Sequence, residues 1–172
     1  CYAAAFLAAD KGIDVTLIDA GKKPGGVCLH RGCIPSKTLL HLAHLINETK
    51  EAKTWGIDFG EPKIDLDSIR NSKNQIIDKM ATGLAQLCKQ RKVKFVSGKG
   101  KFKDSQTIEI NEKLYSFDHC ILATGSRPIQ PFQNDSNLID STGALDLESI
   151  PEKLLVIGGG YIGLEMGSVY AA

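Results

Sequence analysis

Apolar residues along this chain recur in two rhythms, and together they predict alternating helices and short strands. Residues 2–10 (YAAAFLAAD) are Ala-rich with no β-branched residue and predict a helix, with Gly12 as its C-terminal cap. Residues 14–19 (DVTLID) then read as a short apolar strand ending on an acid. Pro35 suits a first helical turn, and SKTLLHLAHLINETKEA carries that helix to residue 52. A second long helix is predicted over 67–91. Ile69, Ile76, Met80, Leu84 and Leu87 form its apolar stripe, and its Lys, Arg and Asp side chains form the solvated face. Strands follow at Phe95-Val96, Lys101-Phe102, Thr107 to Ile110 and Leu114 to Phe117, with a hairpin turn at Asn111-Glu112-Lys113. Gly98 and Gly100 flank Lys99 where backbone can come close to a ligand.

Two apolar runs near the end carry no helical period and predict buried strands. The first, HCILATG, runs into Thr124-Gly125-Ser126, whose small side chains allow close backbone approach. Arg127-Pro128 and the polar stretch QPFQNDSN then read as a connection between domains. The second, Leu154 to Ile157, feeds Gly158-Gly159-Gly160-Tyr161-Ile162-Gly163 and a helix. A G-x-G-x-x-G framed by strand and helix points to a dinucleotide site with the pyrophosphate on the helix N-terminus. Asp19, on a strand after a helix, fits the second half of another such unit, where the acid bonds ribose hydroxyls. A solvated strand-end carboxylate is the plainer alternative for it.

Composition narrows the classes. The 172 residues correspond to about one domain. The first residue is Cys1, not Met, and the last residues stop in what reads as mid-helix, so the chain is expected to be a piece of something longer. With 42% hydrophobic and 24% charged residues it is globular rather than disordered. Lys and Arg number 21 against 20 Asp and Glu, which argues against a nucleic-acid or anionic-membrane partner. No apolar run reaches the roughly 20 residues of a membrane span.

Five cysteines are too few and too odd in number for a disulfide scaffold. Cys88 and Cys120 sit in apolar patterns and are expected as small buried hydrophobes. Cys28 and Cys33, in GGVCLHRGCIPSK, are different. Two thiols near a helix start can reach each other, and a helix N-terminus favours the thiolate. Two alternatives stay open: unrelated core thiols, or a zinc site drawn from Cys28, His30, Cys33, His41 and His44. The spacing matches no common zinc framework, so the expectation is no metal. Two nucleotide sites bracketing a dithiol suggest electrons passing from a disulfide through a flavin to a nicotinamide.

With these motifs the chain resembles the flavoprotein disulfide reductases, most nearly the dihydrolipoamide dehydrogenase family, along its whole length. The segment GGVCLHRGCIPSKTLLH carries the likeness most specifically: Leu29 and Ile34 after the two cysteines resemble lipoamide enzymes, where glutathione and mercuric reductases usually have Val. The resemblance implies an α/β fold, with a FAD-binding Rossmann-like domain over 1–147 and the start of a NAD-binding one over 148–172. It implies a redox-active Cys28–Cys33 disulfide, with Cys28 as interchange thiol and Cys33 as charge-transfer thiol. Lys37 then resembles the lysine near the flavin, and Glu165 its ion-pair partner. For FAD it implies Asp19 on the ribose; Gly25, Gly26, Val27 and Cys28 lining the flavin; Gly100 near the adenine; and Thr124, Gly125 and Ser126 as a second motif. For NAD it implies Gly158, Gly160 and Gly163. It further implies a homodimer acting in the cytoplasm on the lipoyl domain of a 2-oxoacid dehydrogenase or glycine cleavage complex, with the catalytic base outside this segment. Cys1 falls where the family's FAD fingerprint has its last glycine. A mercuric- or glutathione-type reductase and a non-enzymatic thiol or metal-binding module are the alternatives.

Overall fold

A computed structural model describes residues 2–129 and 137–172. Cys1 and most of the expected polar connection, residues 130–136, lie outside the described residues. In chain order the elements are α1 (Tyr2–Asp10), β1 (Thr16–Asp19), α2 (Gly26–Arg31), α3 (Cys33–Ala52), α4 (Leu66–Gln90), β2 (Lys94–Ser97), β3 (Lys101–Phe102), β4 (Thr107–Ile110), β5 (Lys113–Ser116), α5 (Ser141–Asp146) and α6 (Tyr161–Ala171). They form two compact units, Cys1–Val27 with Asp78–Ser126, and Cys28–Ile77 with Arg127–Ala172.

In the first unit, β1 and β2 pair in parallel, with Thr16 opposite Lys94 and Asp19 opposite Ser97. Parallel neighbours need a long crossover, and the chain supplies one through α2, α3 and α4. Ala5, Cys88 and Val93 make the core here, packed by Phe6, Ala9, Val15 and Leu17. Arg91 pairs with Asp10 at 3.1 Å and lies over the Phe6 ring, which ties α1 to the end of α4. Cys88 is buried as expected, and burial pushes its thiol pKa up.

The antiparallel sheet has the order β3-β4-β5. Ile110 faces Lys113, leaving Asn111 (φ 49°) and Glu112 (φ 65°) as a two-residue turn. Positive φ at both central residues gives the mirror-image turn whose twist suits a hairpin. Gly98 and Gly100 pass against β4: a Cβ on them would lie 2.6 Å from Ile110 Cγ2 and 2.9 Å from Ile108 Cγ2. Packing alone therefore requires glycine at both positions.

The two apolar runs expected as buried strands form none. Residues 118–129 and 152–157 have no ladder partner among the described residues. Their apolar side chains stay exposed, Leu122 and Leu155 among them, and Cys120 is exposed where burial was expected. An apolar run becomes a buried strand only when a neighbour pairs its backbone and covers its face.

In the second unit, Leu39 of α3, Met166 of α6, and Ala144, Leu145 and Leu147 form the core. Leu66, Ile69, Val169 and Tyr170 pack around it. Asp140 caps α5 by accepting from the Thr142 and Gly143 amides, both at 2.9 Å. Helix α3 begins at Cys33, two residues ahead of the expected start at Pro35, and the short α2 was not expected. The expectation for α4 also needs correction. Lys73, assigned to the solvated face, is 3% exposed, while Ile76 and Met80 of the apolar stripe are exposed.

Candidate functional site

Asp19 ends β1 and is half-buried. Its Oδ1 accepts the Gly21 amide at 2.8 Å, and its backbone oxygen accepts the Gly98 amide at 2.8 Å. Ser97 Oγ donates to the Gly21 oxygen at 2.9 Å. The chain leaving β1 is thus held to β2. A few residues on, Lys23 Nζ bonds both Asp78 and Thr82 of α4. Pro24 is fully buried. The glycines that follow are free to turn: Gly25 has φ 145° and Gly26 φ 65°. This anchored loop delivers Val27 beside Gly125, where a Cβ would stand 3.5 Å from Val27 Cγ2. Gly125 itself has φ 78°, a conformation that favours glycine. Thr124, Gly125 and Ser126 are exposed and outside any strand. The segment expected to line the flavin and the one expected as a second FAD motif therefore meet at Val27 and Gly125. Gly100 passes close to Ile108 of β4.

The second unit holds the thiols. Cys28 lies in α2 and Cys33 opens α3, with Gly32 as the N-cap between them. Both are exposed free thiols. They are hydrogen-bond partners, and that bond is the main cause raising the Cys28 pKa, with burial and the charge of Cys33 adding to it. Leu29 is buried beside Cys28. Ser36 Oγ donates to the Cys33 oxygen at 3.2 Å, and the Ser36 amide to the Gly32 oxygen at 3.0 Å.

Lys37, one turn beyond Cys33, forms an ion pair with Glu165 of α6. That pairing raises the Lys37 pKa, with smaller contributions from the charges of Cys33 and Tyr161. Glu165 is far from Lys37 in sequence, so only the fold brings them together. His44 pairs with Glu48 of its own helix at 3.1 Å, and His41 is exposed. Among the described residues no three His, Cys, Asp or Glu side chains converge as a metal site.

The glycine turn before α6 is closed in the way its motif requires. Gly158 has φ 106°, and Gly160 is the N-cap, its oxygen accepting the Leu164 amide at 3.1 Å. A Cβ on Gly163 would collide with the Gly158 oxygen and lie 3.1 Å from Val156 Cγ1. Only a glycine lets helix and preceding segment approach this closely. Gly159 and Gly160 face open space. Lys23, Asp78, Thr82, Ser97, Arg70, Lys73 and Tyr170 complete the framework. No sequence signal marks them, because each acts through a partner distant in the chain.

The second unit thus holds a hydrogen-bonded thiol pair at a helix start and a glycine turn at a helix N-terminus, and the first unit holds an acid at a strand end, in a chain of α/β class. The family model for pyridine nucleotide-disulphide oxidoreductases matches residues 1–172, and the chain belongs to that family. Similar proteins include the dihydrolipoyl dehydrogenases of Vibrio cholerae, 49% identical over 98% of this chain, and of Haemophilus influenzae, 48% identical over 99%. The chain spans 37% of the length of each. Among solved structures, the HOCl-induced flavoprotein disulfide reductase RclA from Escherichia coli matches with a TM-score of 0.82 at 24% identity, over 99% of this chain and 37% of that one. That likeness supports the Rossmann-type fold.

Proposed function

We propose that the whole protein is a dihydrolipoyl dehydrogenase. It oxidises protein-bound dihydrolipoamide to lipoamide through a Cys28–Cys33 disulfide, with FAD and NAD as cofactors. The observation that carries this reading is the hydrogen-bonded Cys28 and Cys33 pair at the start of α3, with Lys37 one turn away. The sequence likeness to dihydrolipoyl dehydrogenases supports the choice of substrate.

The residues present fit both cofactors. For FAD, Asp19 has a second carboxylate oxygen beyond the one held by Gly21, and Val27 meets the glycine cradle at Gly125. For NAD, the turn into α6 closes with glycine at 163, where a Cβ would collide with the Gly158 oxygen. Held by these residues, FAD would supply the electron-pair acceptor for the dithiol, and NAD the final acceptor.

The chain's own chemistry is thiol exchange. One thiolate of the substrate attacks Cys28 Sγ, the Cys28–Cys33 bond breaks, and Cys33 leaves as a thiolate. The second substrate thiolate then attacks the substrate sulfur bound to Cys28. Lipoamide is released with a new S–S bond, and Cys28 leaves and takes a proton. Substrate loses two electrons and two protons; the cysteine pair gains both electrons and one proton. The other proton goes to a base that this segment does not supply. The Lys37 ammonium, one turn along α3, and the α3 N-terminus are the positive groups beside Cys33.

Residues 1–147 are assigned to the FAD domain and 148–172 to the start of the NAD domain. The partner is the lipoyl domain of a 2-oxoacid dehydrogenase or glycine cleavage complex, met by a cytoplasmic homodimer. The test is purification of the full-length protein and an activity panel. A yellow protein that reduces NAD with dihydrolipoamide is expected. A colourless protein, or one that prefers glutathione disulfide or mercuric ion, overturns the reading.

A further inference from the structure

Lys73 has the least expected environment in the chain: a lysine 3% exposed on the inward face of α4, between Ile69 and Ile77 one turn to either side. Its Nζ donates to the Leu145 oxygen at 2.5 Å. One turn earlier on α4, Arg70 Nη1 donates to the Leu147 oxygen at 2.9 Å and the Glu148 oxygen at 3.3 Å. From α6, Tyr170 donates its hydroxyl to the Ala144 oxygen at 2.9 Å. A six-residue helix cannot satisfy its last carbonyls internally. Here Lys73 and Tyr170 bond carbonyls of α5 itself and Arg70 bonds the two that follow it, so two cations stand at the helix C-terminus. The segment leaves α5 through Leu147, which has φ 51° and is held in that left-handed conformation by a bonded carbonyl and a buried side chain.

The same segment forms the core between the helices that carry the Lys37–Glu165 pair. Leu39 is two residues past Lys37 on α3, and Met166 is the residue after Glu165 on α6. Both pack on Ala144, Leu145 and Leu147. α5 therefore packs on both helices that carry the pair, beside their own direct contact.

We propose that Lys73, with Arg70 and Tyr170, is a positioning residue for the Lys37–Glu165 pair. The cations of α4 and the Tyr170 hydroxyl clasp the carbonyl end of α5, and α5 in turn seats α6. This rests on the proposed function only in that the pair serves the thiols; the test below needs no flavin.

The readout is the rate at which the Cys28 and Cys33 thiols of the reduced full-length protein alkylate at neutral pH. Glu165→Gln leaves the Lys37 charge uncompensated near Cys33, which favours thiolate. Alkylation should rise about threefold, the size of a half-unit move in thiol pKa. Lys73→Met should produce a rise of the same sign, and the double variant should rise no further than Glu165→Gln alone. Lys73→Arg should restore the original rate. Tyr170→Phe keeps its ring packing and removes one clasp bond. It should give a smaller rise, which keeps the proposal testable if Lys73→Met does not fold. Additive effects, or unchanged rates in Lys73→Met or Tyr170→Phe, overturn the proposal. Flavin content of the unmodified protein separately tests the functional reading.

Discussion

Lys37 on α3 and Glu165 on α6, separated by 128 positions in sequence, form an ion pair one helical turn from Cys33. The pairing raises the Lys37 pKa above its ordinary value of 10.5. A cation whose pKa rises on folding contributes stability that is fully present below its unfolded pKa and is lost as pH climbs through the folded one. Glu165→Gln should therefore lower the melting temperature of the full-length protein at neutral pH. The gap from the unmodified protein should close above pH 10.5. A gap that stays constant through that window would show that Glu165 acts by packing alone.

The Cys28 pKa is raised from 9.0, chiefly by its hydrogen bond with Cys33. In the reduced protein the pair should lose its protons in two steps, the second above the ordinary thiol range. Cys33→Ala removes both the bond and the neighbouring charge. The alkylation profile of Cys28 should then collapse to a single step with its midpoint lowered. An unchanged profile would mean that burial, the second cause, dominates.

Gly83 lies inside α4, and a Cβ there would meet nothing within 4 Å. Glycine in a helix interior costs about 0.5–1 kcal/mol relative to alanine, largely through the entropy of the unfolded chain. Gly83→Ala should stabilise the full-length protein by that order, seen as a higher melting temperature with thiol reactivity unchanged. A destabilised variant would show that this face of α4 is covered by a part of the protein outside these residues.

Local chemistry decides what could be read from the chain. The strand read at 14–19 and formed over 16–19, the long helices, the turn read at 111–113 and formed at Asn111-Glu112, and the glycine turn before α6 were legible, because each carries a signal in its own stretch of sequence. So were Cys28 and Cys33, whose spacing and flanking glycines are local. Lys37 and Glu165 became legible only through likeness to a family, since nothing in either stretch of sequence refers to the other. Lys73 was misread for the same reason: a lysine in a polar helix pattern is ordinarily solvated, and only α5 makes it otherwise. Cys120 and the run around Leu155 were misread because strand formation depends on a neighbouring strand, which no local pattern supplies.

Gly163 and Gly159 sit in one turn and separate two roles of glycine. At Gly163 a Cβ would collide with the Gly158 oxygen, a backbone atom that cannot swing aside, and would press on Val156. Overpacking of this kind costs about 1–3 kcal/mol. The backbone amides at the α6 N-terminus would be pushed out of the arrangement proposed to receive a pyrophosphate. In the full-length protein Gly163→Ala should weaken NAD binding about tenfold or more, since 1.4 kcal/mol is a factor of ten. Flavin content should be preserved, because the first unit carries Asp19, Val27 and Gly125. Gly159→Ala meets nothing within 4 Å and has no positive φ, so its NAD affinity should stay within about twofold of the original. Equal losses in the two variants would mean that the turn tolerates no side chain anywhere. In that case the close approach at Gly163 would not be what shapes the site.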